Sequence, residues 1–190
     1  MMAPAVKTGE QVELVRNSEG WEFTLKAWKR KLCDEEARRN KGPTIVRMEE
    51  PGLPVTVNVR VGSVMPLLWS ATGRAFLGFL NDSGVRRMAE AELAAATAAA
   101  RQTLARTEPI GSLQAQVREQ EVACVRDTYL PGISAVAAPI HDHTGRVIAV
   151  ITALGASGGF DPSSGGVVAS ALRQEARDVS ALLGFSAKQR

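Results

Sequence analysis

Alternation of apolar and polar residues predicts the first strands of this chain. In PVTVNVRV (54–61), valines alternate with polar residues at a period of two, which predicts a strand with one face on the core. The same alternation in WEFTLKAW predicts a strand over residues 21–28, and TIVRM predicts another over 44–48. Because the connections are too short for a parallel crossover, we expect an antiparallel meander.

The period changes from two to helical spacing at Ser70. Gly62 and Pro66 break the strand pattern, and apolar residues at 71, 75, 76 and 79 then share one helical face. Ser70 is a favourable N-cap residue for this helix. The free N–H groups at such a start, together with the positive end of the helix dipole, suit a small carboxylate. An ordinary capped helix without a ligand explains the same residues.

The remaining pattern predicts helices and a hairpin. A short helix is expected over 10–17, and the alanine-rich segment 85–107 predicts one long or two shorter helices, ended by Pro109. Ser112 is expected to cap a further helix through Gln120. ISAVAAPI (133–140) and RVIAVITAL (146–154) predict a hairpin through the middle of the sheet, and 167–183 predicts an amphipathic helix ended by Gly184.

These elements together predict an α+β fold, in which one antiparallel sheet of five to six strands carries helices on its faces. A length of 190 residues suits one domain, expected over residues 10–185 after a disordered N-terminus at 1–9. The segment 29–43 is a charge-dense insertion that begins KRKLCDEEARRNK. We interpret it as a solvated loop or short exposed helix, because its acidic residues oppose the alternative of a nucleic-acid contact.

Composition narrows the class of protein further. The chain is 45% hydrophobic and 23% charged, and its net charge of +3 is too small to predict nucleic-acid binding by charge alone. Cys33 and Cys124 do not form a disulfide framework, the N-terminus has no signal peptide, and no apolar run is long enough to span a membrane. These features favour a cytoplasmic protein with no membrane partner.

Motifs of catalysis and cofactor binding are missing from the sequence. It contains no Gly-x-Ser-x-Gly, P-loop or paired-carboxylate pattern, so we predict no catalytic residues and no cofactor. His141 and His143 flank a hairpin turn, but without further ligands they are a weak metal site, and no metal is predicted. An enzyme that uses Cys124 or His141 remains an alternative hypothesis.

Two blocks of the sequence carry a family resemblance. VRVGSVMPLLWSATGRAFLGFL (59–80) and GISAVAAPIHDHTGRVIAVITALG (132–155), followed by the closing amphipathic helix, resemble the effector-binding domain of IclR-type bacterial transcription regulators. The resemblance implies a GAF-like fold that binds a small organic or aromatic acid and forms homodimers or homotetramers. It also implies that DNA is bound only through an N-terminal winged helix-turn-helix domain.

The chain departs from that family pattern in two places. No helix-turn-helix domain is expected in this chain, so the sequence is either a fragment of a longer protein or a lone effector domain. The charged segment 29–43 also stands where the family has a tight hairpin turn, which leaves the strand register there open.

The resemblance further implies a ligand pocket between the sheet and the Ser70 loop. Its predicted lining is Trp69, Ser70, Ala71, Thr72, Val125, Asp127, Tyr129, Ala135, Thr152 and Leu154. Amides and hydroxyls at the helix start would bind a carboxylate, and the apolar side chains among the other lining residues suggest a larger or aromatic ligand. Three of these residues have alternatives: Trp69 in the core, Asp127 as an exposed strand-edge charge, and Tyr129 as a buried ring with a solvated hydroxyl.

The main functional hypothesis is therefore a small-molecule sensing and oligomerisation domain of an IclR-type transcription regulator. Besides the enzyme alternative, a purely structural oligomerisation domain with an occluded pocket remains open.

Overall fold

A computed structural model describes residues 24–27, 42–48, 59–80 and 82–186 of the chain. Residues 59–61, the end of the strand predicted over 54–61, are described and are not part of a strand. The predicted disorder at 1–9, the helix at 10–17, nearly all of the charged segment 29–43 and residues 54–58 of that strand lie outside the described residues. These four features stay predictions.

The described strands form one antiparallel sheet, and the predicted α+β class is confirmed. The strands are β1 (Thr24–Ala27), β2 (Thr44–Ile45), β3 (Ala123–Arg126), β4 (Ile133–His141) and β5 (Val147–Ala156), in the order β2-β1-β5-β4-β3. β3, β4 and β5 form the main part of the sheet. In the described part of the chain, the predicted number of five to six strands is reached only when the two short strands β1 and β2 are counted. The strand predicted over 44–48 was too long, because its backbone pairing with β1 ends at Ile45.

β5 lies at the centre of the sheet. It pairs with β1 through Thr24 and Thr152 and with β4 through a hairpin, whose turn at residues 142–145 the sequence predicts. Gly145 adopts a φ of 77°, a backbone conformation that glycine adopts without strain. Thr152 is thereby fixed in the middle of the sheet.

Five helices are described: α1 (Ala71–Phe79), α2 (Ser83–Ala95), α3 (Ala98–Arg101), α4 (Pro109–Gln120) and α5 (Val167–Leu182). The expected N-cap of α1 is confirmed, and the alanine-rich segment is divided between α2 and α3. The predicted cap at Ser112 was wrong, because α4 begins at Pro109. Proline suits the first helical position, since its φ is already helical and the N–H that it lacks would have no helical acceptor.

Helices cover both faces of the sheet. α5 packs on the face formed by Val136, Ala138, Ile140 and Ile151, as the amphipathic pattern predicts. α1 packs on the other face against Ala137 and Val150. α4 lies so close behind α1 that a Cβ at Gly78 would be 2.6 Å from a methyl of Val117. α1 is therefore packed between α4 and the sheet.

No helix in the described ranges combines the length and apolar character that crossing a membrane requires.

Candidate functional site

A cavity lies between the start of α1, the facing side of β3–β5 and the β3–β4 loop. The volume of the cavity is about 30 Å³. It is therefore a narrow hollow. Its lining is Val59, Met65, Ser70, Ala71, Thr72, Val125, Tyr129, Leu130, Ile133, Ala135, Thr152 and Leu154.

Two hydroxyls form a polar spot in this cavity. The Oγ1 atoms of Thr72, on α1, and Thr152, on β5, are 3.0 Å apart and hydrogen-bonded. Each threonine is only 1% exposed. A hydrogen bond in such a dry environment is costly to leave unmade, so the pair ties the helix start to the central strand.

The first turn of α1 supplies further donors. The Ser70 hydroxyl accepts a hydrogen bond from the Gly73 amide at 2.9 Å and donates one to the Pro66 carbonyl at 2.7 Å. This hydroxyl is thus engaged inside the protein. The amides of Ala71 and Thr72 are too early in the helix to have helical acceptors, and no described residue accepts from them. Both residues line the cavity, so a helix start with free N–H groups, which suits an anion, lies at its wall.

The loop before α1 is fastened to two helices. The carboxylate of Glu92, on α2, accepts hydrogen bonds from the Leu67 amide at 2.7 Å and the Leu68 amide at 3.1 Å. The Arg74 guanidinium, on α1, donates to the Leu68 carbonyl at 2.7 Å. Burial raises the pKa of the Glu92 carboxyl and lowers the pKa of Arg74. A carboxylate therefore binds the backbone amide of Leu68, and a guanidinium binds its carbonyl.

The β3–β4 loop is held over the cavity by a second network. Asp127 has a φ of 52°, and its Oδ1 accepts from the Gly132 amide at 2.8 Å and the Ser157 hydroxyl at 2.7 Å. Ser157 and Ser134 share a hydrogen bond of 2.9 Å. The network joins the loop that carries Tyr129 to the end of β5. Tyr129 is 42% exposed, so its ring borders both the cavity and solvent.

Eight of the ten residues predicted for the pocket line this cavity, and two do not. Trp69 does not line the cavity: as its alternative in the core predicts, it packs with α2 and α3 residues, and its indole Nε1 donates to the Ala100 carbonyl at 3.4 Å. Asp127 does not line it either, and its carboxylate accepts from the Gly132 amide and the Ser157 hydroxyl.

Sequence reasoning missed four lining residues: Val59, Met65, Leu130 and Ile133. Ile133 had a usable signal, since it lies two positions before Ala135 on β4 and so shares its face. Val59 belongs to the alternating pattern of 54–61, which already assigns its valines to the core face, whereas Met65 and Leu130 come from segments in which periodicity gives no direction.

The chemistry of the cavity is that of binding by neutral groups. Among the described residues its lining contains no charged side chain, so an anion there would depend on amides, hydroxyls and the dipole of α1. Within residues 24–27, 42–48, 59–80 and 82–186, no group of three His, Cys, Asp or Glu side chains is close enough to hold a metal ion.

The surroundings of Cys124 do not favour the enzyme hypothesis. Its side chain packs on the α5 face of the sheet, away from the cavity. Burial raises the pKa of its thiol to about 11, which keeps it protonated and weakly nucleophilic at neutral pH. His141 stacks on Phe185, with ring centroids 4.8 Å apart.

Comparison with known proteins identifies the family. The profile described as bacterial transcriptional regulator IclR C-terminal matches residues 24–181. The structure of HmgR from Pseudomonas aeruginosa is similar, with 32% identity, a TM-score of 0.72, and coverage of 88% of this chain and 61% of that one. An IclR transcriptional regulator from Alicyclobacillus acidocaldarius has 27% identity, a TM-score of 0.65, and coverage of 87% and 62%.

A third structure shows the same fold in an isolated domain. The C-terminal domain of the Escherichia coli regulator KdgR has 21% identity, a TM-score of 0.65, and coverage of 88% of this chain and 90% of that domain. No curated protein matches the sequence. The chain spans about three fifths of the length of the first two regulators. The chain belongs to the family of bacterial IclR-type transcriptional regulators, of which it carries the C-terminal, regulatory domain.

Proposed function

We propose that this domain senses a small organic or aromatic acid and transmits its binding to the assembly of an IclR-type regulator. The observation that carries the proposal is the cavity at the start of α1, whose lining combines the first residues of that helix and the buried Thr72–Thr152 hydroxyl pair with mostly apolar side chains. A regulatory effector-binding role follows from the family, and the identity of the ligand and the assembly are our proposals.

The polar end of the cavity suits a carboxylate. The amides of Ala71 and Thr72 each offer one N–H, and the Thr72–Thr152 pair offers one further O–H, because only one of its two protons is used between the hydroxyls. Three donors around one carboxylate, in a dry site at a helix start, can stabilise the anion without an arginine or lysine.

The rest of the cavity suits an apolar body. Val125, Ala135 and Leu154 extend from the sheet, and Tyr129 borders the opening. Because the hollow is narrow, we expect the ligand to widen it by shifting the start of α1 or the β3–β4 loop, which form two of its walls. A ligand that prefers the widened state shifts the population toward it.

The partners of the domain follow from this mechanism. We infer a homodimer or homotetramer in which the widened and narrow states pack differently, since a ligand regulates only if it favours one packing over another. DNA would be contacted by another domain of the whole regulator.

A thermal-shift screen of keto acids and aromatic carboxylates tests the proposal. A ligand present at a hundred times its Kd contributes about 2.7 kcal/mol, which for this size of domain raises Tm by roughly 5–10 °C. The double variant Thr72→Val/Thr152→Val should lose the shift, whereas Thr107→Val, an exposed threonine just before α4, should keep it. Full binding by the double variant would contradict the placement of the carboxylate.

A further inference from the structure

The edge of β4 is open over its second half. β3 pairs with β4 only from Ser134 to Ala137, so among the described residues 138–141 have no strand beside them on that side. The space between this edge, the end of α1 and α5 has a volume of about 270 Å³. We name this space the β4 edge groove; it is formed mainly by Phe79, Pro139, His141, Arg173, Arg177 and Phe185.

The groove is separate from the cavity of the proposed function. The two share no lining residue. The groove is lined in part by α5, which packs on the face of the sheet opposite to α1. A ligand in one would therefore leave the other vacant.

The backbone of this edge is unsuited to pairing with another strand. Pro139 has no N–H, and the His141 amide already donates to the Ser180 hydroxyl at 2.9 Å. These two positions face the same edge, since alternate residues of a strand direct their N–H groups to the same side. Both donors that an added strand would need are thus missing, so the occupant must be recognised by side chains.

Aromatic rings form one wall of the groove. The His141 ring stacks on Phe185 with centroids 4.8 Å apart and an interplanar angle of 21°. Phe79 meets the same imidazole edge-on at 5.7 Å. The small side chains of Ala138 and Ala176 leave room beside these rings. A wall of this kind suits a flat aromatic body.

Two guanidinium groups of α5 form the other wall. Arg173 donates to the Gln120 carbonyl at 3.0 Å, and Arg177 is paired with the Glu121 carboxylate. Each guanidinium has five N–H donors, so these contacts leave donors for a ligand. Two arginines and one glutamate leave a net positive charge, and the Arg177 side chain is 62% exposed. The groove therefore favours an anion, and arginine favours a carboxylate.

We propose that the β4 edge groove is a second ligand site, which takes a planar aromatic carboxylate. The ring lies against His141 and Phe185, and the carboxylate is bound by Arg173 and Arg177. The site is independent of the proposed effector cavity, so that one domain has room for two different acids at once.

Isothermal titration calorimetry with 2-naphthoate tests this assignment on the whole chain. We expect Arg177→Gln to raise the Kd of 2-naphthoate by about tenfold, because one charge-assisted contact is lost. Arg86→Gln is the matched control: Arg86 is a similarly exposed helical arginine paired with Glu90, on α2, and its replacement should leave Kd unchanged. The neutral analogue 2-naphthalenemethanol should bind much more weakly than the carboxylate.

The Thr72→Val/Thr152→Val variant separates this site from the effector cavity, since it alters only the cavity and should still bind 2-naphthoate in the groove, with the same sensitivity to Arg177→Gln. Circular dichroism melting curves verify that each variant is folded. The proposal is overturned if 2-naphthoate fails to bind, if Arg177→Gln and Arg86→Gln bind it equally, or if the double threonine variant loses it.

Discussion

The hydroxyls of Thr72 and Thr152 meet at 3.0 Å, and they join the first turn of α1 to the central strand of the sheet. One residue comes from the loop-to-helix junction and the other from the last hairpin, 80 positions apart in sequence. The pair is at once a structural link and the polar spot of the cavity.

The first prediction concerns the energy of this link. Thr72→Val and Thr152→Val each leave one buried hydroxyl without its partner, so each should lower the free energy of unfolding by about 1–3 kcal/mol. The double variant removes both hydroxyls and should cost less than the sum of the two. Urea unfolding of the four proteins in a double-mutant cycle measures the coupling, and additive losses would show that the hydroxyls do not interact.

The second prediction concerns the tight start of α1. A Cβ at Gly73 would lie 2.0 Å from the Pro66 carbonyl oxygen, so Gly73→Ala must push the loop away from the helix. We expect a loss of about 1–3 kcal/mol in the free energy of unfolding and a weaker response to acids.

Gly158→Ala is the control for that change. No atom lies within 4 Å of a Cβ at Gly158, so this substitution should alter stability by no more than about 0.5 kcal/mol. If chemical denaturation shows that both substitutions lower the free energy of unfolding equally, the close approach at Gly73 does not contribute to stability.

The third prediction concerns the carboxylate that fastens the loop. Glu92→Ala removes the acceptor of two loop amides and should lower the free energy of unfolding by about 1–3 kcal/mol. Glu90→Ala, on the same helix, removes only an exposed partner of Arg86 and should cost less than about 0.5 kcal/mol. Amide hydrogen exchange at Leu67 and Leu68 should quicken in the Glu92 variant alone.

The fourth prediction concerns the Cys124 thiol. Its pKa is raised by burial from 9.0 to about 11, so the folded state keeps the proton that the unfolded state loses in this interval. The contribution of Cys124 to stability is therefore complete below pH 9 and declines as the pH rises toward 11.

Alkylation checks this behaviour. In a Cys33→Ser background, iodoacetamide at pH 7.5 should modify the folded chain far more slowly than the urea-unfolded chain, as followed by mass spectrometry. Rapid modification of the folded protein would show that Cys124 is reactive and would support the enzyme hypothesis.

The sequence predicts the pocket better than it predicts the edges of elements. The N-cap at Ser70 is a local signal, whereas the pocket lining is what the family resemblance implies, and eight of the ten residues so named line the cavity. Trp69 shows the limit of local sequence signals. It directly precedes the N-cap, yet its ring lies toward α3, because the loop before α1 has no periodicity from which the direction of a side chain could be predicted. β3, with four residues, is too short for its alternation to stand out.

The start of α4 illustrates competition between two good local signals. Ser112 is a suitable cap and Pro109 a suitable first residue, and both are compatible with the sequence. The structure begins at Pro109, with Glu108 held at a φ of 48° before it. The positive φ of Glu108 is a conformation that its residue type does not suggest.

The peptide unit around Leu68 gives the domain a mechanical connection. Glu92 holds its amide from α2 and Arg74 holds its carbonyl from α1, so a shift of the helix start on ligand entry cannot stop at the cavity wall. Such a shift either lengthens these two charge-assisted hydrogen bonds or moves α2 together with α1. We expect the solvent-facing surface of α2 to change position when an acid binds in the cavity.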